Sequence, residues 1–116
     1  MTIRTSIPGA DELVGNGVYR RMPKDVPQPA RDDHAVVVGE PAECAAAARQ
    51  LSEAGWKVTV VTDESNCRCG MRRGCRRRVR TEVACATGIE HLEAVVLRRI
   101  DTGRIEACNA SALFVL

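Results

Sequence analysis

Between His34 and Asp63 the chain changes character three times in a pattern that few folds accommodate. Four apolar residues, Ala35-Val-Val-Val38, lead into Gly39-Glu-Pro-Ala-Glu-Cys44 and an alanine-rich run from Ala45 to Leu51. A second β-branched segment, Lys57-Val-Thr-Val-Val-Thr62, precedes Asp63. The first run is too short and too apolar for anything except a strand buried on both faces. Pro41 suits the first turn of a helix, because the N–H it lacks is one that a helix start leaves unpaired. Ala45 to Ala48 form helix readily and are small enough to pack close on a sheet, and Gly55 ends the helix near Ala54. Val58 to Val61 supply a second buried strand. Strand, glycine turn, helix and strand make up the βαβ unit that binds dinucleotides.

In the intact fingerprint of that unit, G-x-G-x-x-G/A, the first glycine makes the turn. The second lets the main chain approach the pyrophosphate, and the third lets the helix sit close on the strand. Those slots hold Gly39, Pro41 and Cys44 here. The turn survives, but the phosphate-approach position carries a ring that also removes a donor. The residues expected around a cofactor are Gly39, Glu40, Pro41, Ala42 and Asp63, in a degenerate crevice.

A chain of 116 residues predicts one domain and one modest core, burying roughly two-thirds of the unfolded surface. Apolar content of 45% excludes wholesale disorder, and the only aromatic residues are Tyr19, Trp56 and Phe114, so there is no stacking platform for bases. A net charge of +2 argues against a nucleic-acid binder. No apolar run approaches the ~20 residues that span a membrane, and Met1 to Arg20 has no signal-peptide core, so a cytoplasmic protein is expected. Six cysteines in that setting point to reduced thiols or a metal before disulfides.

Prolines and Gly-Asn-Gly make residues 1–33 an irregular lead-in or linker, with one helical turn at Asp11 to Val14; residues 34–116 form the domain proper. After Asp63 a Cys/Arg loop is expected, running through Cys67, Cys69, Cys75 and Arg76 to Arg78. Strands follow at Val79 to Ala86, Leu92 to Arg98 and Arg104 to Ala107, with a hairpin turn at Asp101-Thr-Gly103 and a closing strand at Ala112 to Leu116. The expected class is α/β: a Rossmann-like small parallel sheet with a flanking helix and an antiparallel β-meander.

Over nearly its whole length the chain resembles the NAD(P)H-binding domain of thioredoxin-reductase-like flavoproteins, the pyridine nucleotide-disulfide oxidoreductases. Ile7-Pro-Gly-Ala-Asp-Glu-Leu-Val-Gly-Asn-Gly-Val-Tyr19 is similar to the segment leading out of the flavin domain, and Val36 to Asp63 to the nucleotide-binding unit. Arg80-Thr-Glu-Val83, Leu92 to Leu97, Asp101-Thr-Gly103 and Ala110 to Leu116 are similar to the meander and the returning strand. The departures carry functional weight. No FAD domain lies within these residues, and none of the FAD machinery is expected from this chain alone. The Cys-x-x-Cys dithiol is missing at Arg21-Met-Pro-Lys24. Where the resemblance implies basic residues for the 2′-phosphate of NADPH, this chain has Thr62-Asp63-Glu64. A carboxylate there suits a free ribose hydroxyl, so any nicotinamide bound is expected to be NADH.

Cys67, Cys69 and Cys75 are the candidate metal ligands, with Cys85, His91 or His34 as a fourth for zinc. Nearby arginines favour thiolates, yet the C-x-C-x5-C spacing is not that of a zinc site, and incidental free thiols are the plainer reading. The arginines from Arg72 to Arg80 suit a phosphate, an acyl carboxylate or RNA, or else a solvated loop on the rim of the sheet. Glu40 and Glu43 suit the start of the helix dipole, and Cys44 and Cys108 are expected as small buried residues. No catalytic residue can be named. The expected function is a stand-alone, degenerate NAD(P)H-binding-like domain without disulfide reductase activity, holding a small ligand or a protein partner in the former cofactor crevice. Three alternatives stand beside it: a non-redox cyclase or isomerase, the NADH-binding half of a split reductase with a flavoprotein partner, and a Cys/Arg-loop metal or redox sensor. Without a flavin domain, Val36 to Val38, Phe114 and the lead-in are expected to expose apolar surface, which a homodimer would cover.

Overall fold

A computed structural model describes residues 7–29, 33–39, 41–62 and 75–116, with the main chain alone at Pro41 and Cys75. A 3-10 turn, Asp11–Leu13, precedes the two-residue strand β1, Val18–Tyr19. The βαβ unit follows as β2 (His34–Val38), α1 (Pro41–Glu53) and β3 (Lys57–Val61). Then come β4 (Cys75–Arg78), β5 (Thr81–Thr87), β6 (Ala94–Arg99), β7 (Ile105–Asn109) and β8 (Ala112–Val115). Strands β1, β8, β2, β3 and β4 lie side by side in that order as a sheet whose pairs are all parallel, and β5, β6 and β7 form a separate antiparallel meander.

Period-two alternation along the central strands divides the core between two faces. Ala35 and Val37 of β2, Val58 and Val60 of β3, and Ala112 and Phe114 of β8 face α1, where Cys44, Ala47, Ala48 and Leu51 meet them. Val36, Val38, Val61 and Leu113 face the meander, against Ala86, Leu92, Val95 and Leu97. Both faces of β2, β3 and β8 are thus covered, which is why their sequences read as continuous apolar runs. The small side chains of α1 permit the helix to lie low on β2 and β3.

Four features differ from the sequence reading. The stretch Cys75 to Arg78 is not a loop but strand β4, in parallel register with β3 from Val58↔Cys75 to Val61↔Arg78. A strand at a sheet edge needs only one ladder and can carry charge toward solvent, so it lacks the apolar signature of its neighbours. Val36 to Val38 and Phe114 are buried within this chain, so the exposed apolar surface invoked for a dimer does not form there. Cys108 is only half-buried, at the sheet-facing side of β7, while Cys44 is 1% exposed. Residues 7–29 also contribute to the fold. Ile7, Ala10, Leu13 and Val18 join the meander-side core, and the Trp56 indole donates to the Pro27 carbonyl at 2.7 Å. Among the described residues no helix is long and apolar enough to cross a membrane.

His34 begins β2 half-buried, its Nε2 hydrogen-bonded to Thr59 Oγ1 at 2.6 Å. Burial, and after it the charges of Arg76 and Lys57, hold its pKa below the ordinary imidazole value. The unfolded chain, protonating near pH 6.5, therefore binds more protons than the fold in the window between the depressed folded pKa and about 6.5. Stability is expected to fall as pH is lowered through that window, with no further loss from this group below it. Urea midpoints at stepped pH values measure the slope, and His34→Gln should flatten it. An unchanged slope in that variant would assign the effect to other groups.

Candidate functional site

The strand order reverses at β2. Its helix crossover leads to β3 on one side, while β8 pairs on the other. Ligands of open parallel sheets bind outside the carboxyl ends of the strands at such a reversal. Gly39 leaves β2 at this point with φ 147°, a conformation that side-chain-bearing residues rarely adopt. A Cβ placed on it would overlap the carbonyl oxygen of Leu116, and the Leu116 N–H donates to the Val38 carbonyl at 2.9 Å. The β2–β8 ladder thus runs one residue past Val38↔Val115, and the main chain it brings across the turn is this chain's own.

α1 starts at Pro41, consistent with the sequence reading, and ends at Glu53. Ala42 and Glu43 are exposed in its first turn. Cys44, in the slot of the third glycine, is packed against the helix-side core, so its side chain does not keep α1 off the sheet. The first turn is poorly suited to a pyrophosphate. Pro41 offers no N–H, and the Glu43 carboxylate occupies the positive end of the helix dipole, where it repels a second anion.

A cleft of about 340 Å³ opens beside this turn. Arg20, Arg21 and Met22, just past β1, form one wall, Glu43, Ala47 and Gln50 of α1 the other, and Leu116 closes the end. One side is cationic, one carboxylate faces it, and Met22, Ala47 and Leu116 give an apolar lining. Arg20 is held by an ion pair with Asp11. Of the described residues expected around a cofactor, none lines this cleft: Gly39 makes the turn after β2, and Pro41 and Ala42 begin α1 beside it. Glu40 and Asp63 lie outside the described residues, as do Cys67 and Cys69. Cys75 enters β4, paired with Val58 through the main chain. Among the described residues no cluster of three or more metal-ligating side chains occurs. The residues sequence reasoning missed are Arg20, Arg21, Gln50 and Leu116. Their only signal was the basic pair directly after the Gly-Val-Tyr segment.

No protein-family model and no curated protein matches the chain. Solved structures do. Thioredoxin reductase from Giardia duodenalis superposes with a TM-score of 0.79 at 19% identity, over 97% of this chain and 39% of that one. Thioredoxin reductase from Gloeobacter violaceus gives 0.76 at 22%, over 100% and 38%. The bacillithiol disulfide reductase of Staphylococcus aureus gives 0.69 at 14%, over 97% and 36%. The chain spans about two-fifths of the length of these reductases. Its fold is thioredoxin-reductase-like and Rossmann-like, and the likeness covers nearly the whole chain.

Proposed function

We propose that this chain is a ligand-binding domain built on the reductase-type nucleotide fold, degenerate as a dinucleotide site. Its ligand is a small molecule held in the cleft between α1 and the ends of β1 and β8. The observation that carries this reading is the pairing of a formed cleft at the strand-order reversal with a helix start that disfavours a polyanion. Pro41 removes a donor, and Glu43 sets a negative charge where the pyrophosphate would lie. A ligand with an apolar body and one carboxylate suits the lining, its charge meeting Arg21 and its body resting on Met22 and Leu116. None of the six cysteines forms a Cys-x-x-Cys pair, so these residues supply no dithiol of that type for disulfide reduction.

Calorimetric titration of the reduced protein with NADH and, separately, NADPH tests the reading. The expected result is no saturable heat at micromolar concentrations of either. Micromolar binding of NADH would reverse it in favour of the split-reductase alternative, which the intact Gly39 turn and the close docking of α1 support. Hydride transfer from NADH to an added flavoprotein would then be the next measurement.

A further inference from the structure

We propose a second, separate site: a phosphate-binding cleft between the two β layers at the β4 edge, suited to a small organic phosphomonoester. The meander lies over one face of the parallel sheet, and where β4 meets β6 and β7 the gap between them is not filled by apolar side chains. A cleft of about 320 Å³ remains, near the lower end of the size of small-molecule pockets. Register determines what faces it. Thr81 pairs with Arg99 and Leu97 with Glu106, so the alternation that buries Val95 and Leu97 turns Arg99 and Glu106 to the same side. Arg78 stands opposite Val61 on the meander-facing side of β4.

Arg78, Arg99 and Arg104, from two strands and a hairpin, therefore line one space. Arg78 reaches across the layers to Glu106 at 2.9 Å. Arg99 is held by Asp101 through two contacts of 3.1 Å. Arg104 makes no ion pair among the described residues, and the hairpin fixes its place. The Arg99 N–H donates to the Arg104 carbonyl at 2.9 Å, and the Arg104 N–H donates to Thr102 Oγ1 at 3.2 Å. Each guanidinium has five donors, and these contacts leave most of them available. Planar forks of this kind match the oxygens of a phosphate, which supplies three acceptors and close to two charges at neutral pH. Val79 and Leu97 give the cleft an apolar floor for the organic part of an ester. Charged side chains on β4 would by themselves be explained as protection of a sheet edge. That explanation does not reach Arg99 and Arg104, which belong to the other layer.

The test is an amide-resolved NMR titration of the full chain with phenyl phosphate, inorganic phosphate, succinate, and sodium chloride at matched ionic strength. The expected result is saturable shifts at Thr81, Leu97 and Arg104, with phenyl phosphate tighter than inorganic phosphate. Arg104→Gln should weaken it roughly tenfold while leaving the remaining spectrum folded, and Arg104→Lys, which keeps the charge but not the fork, should fall between. Shifts that never saturate and are matched by chloride would overturn the proposal. So would saturable shifts centred on Ala42 and Glu43, tighter binding of succinate, equal affinity for the two phosphates, or indifference to Arg104→Gln.

Discussion

Replacing Phe114 by alanine is expected to cost about 3–5 kcal/mol of folding stability, the range for truncating a large buried aromatic ring. Phe114 is fully buried on β8, which sits between β1 and β2. Its ring stacks on Tyr19 with centroids 4.7 Å apart and planes 10° from parallel. The same ring belongs to the helix-side cluster with Ala35, Val37 and Leu51. The loss would therefore open a cavity between β1 and α1 that the small alanines of the helix cannot fill. Against a total stability of order 5–15 kcal/mol, the variant would retain little margin. Trp56, the single tryptophan, is buried and reports unfolding by fluorescence in urea. A double-mutant cycle with Tyr19→Leu separates the stacking contribution, expected at about 0.5–1.5 kcal/mol. A loss below 1 kcal/mol for Phe114→Ala would mean that the sheet does not depend on this ring.

The same burial explains which parts of the molecule were legible in the sequence. β2, β3 and β8 are covered on both faces, so each appears as an uninterrupted apolar run with a fixed length. α1 was bounded by Pro41 and by Gly55, which follows its last turn. The hairpin between β6 and β7 was announced by Asp101-Thr-Gly103, where Gly103 takes φ 75°. β4 was not legible. Among the described residues it pairs on one side only, and three consecutive arginines, Arg76 to Arg78, make up most of it, so nothing in its composition separates it from a basic loop. The cleft beside α1 was hidden for a different reason: its walls come from residues distant in the chain, and only the parallel pairing of β1 with β8 brings Arg21 near Leu116. Cys44, in the third slot of the fingerprint, was expected as a small buried residue and is 1% exposed. At that depth a thiol is small enough to be absorbed into the helix-side core.

Gly39 is where packing and binding explanations can be separated. If it served a ligand alone, replacing it should leave the empty protein as stable as before. The geometry gives it an internal reason instead. The carbonyl carbon of Leu116 would lie 2.9 Å from an added Cβ, and the contact is with main chain, which cannot rotate away as a side-chain end would. The backbone at φ 147° adds its own penalty for any residue with a Cβ. Gly39→Ala is therefore expected to cost about 1–3 kcal/mol with no ligand present, through strain at the turn and loss of the Leu116-to-Val38 hydrogen bond. Urea unfolding followed at Trp56 gives the magnitude, and hydrogen exchange at the Leu116 amide gives the location. Faster exchange there, with the amides of β3 unaffected, would identify the close approach of β8 as the reason for the glycine. An unaltered midpoint would return the residue to the ligand, because a turn that tolerates a Cβ without cost has no structural need of glycine. The first outcome also bears on the crevice itself: a turn already occupied by Leu116 has less room for a pyrophosphate, and the ligand must then be one that fits beside it.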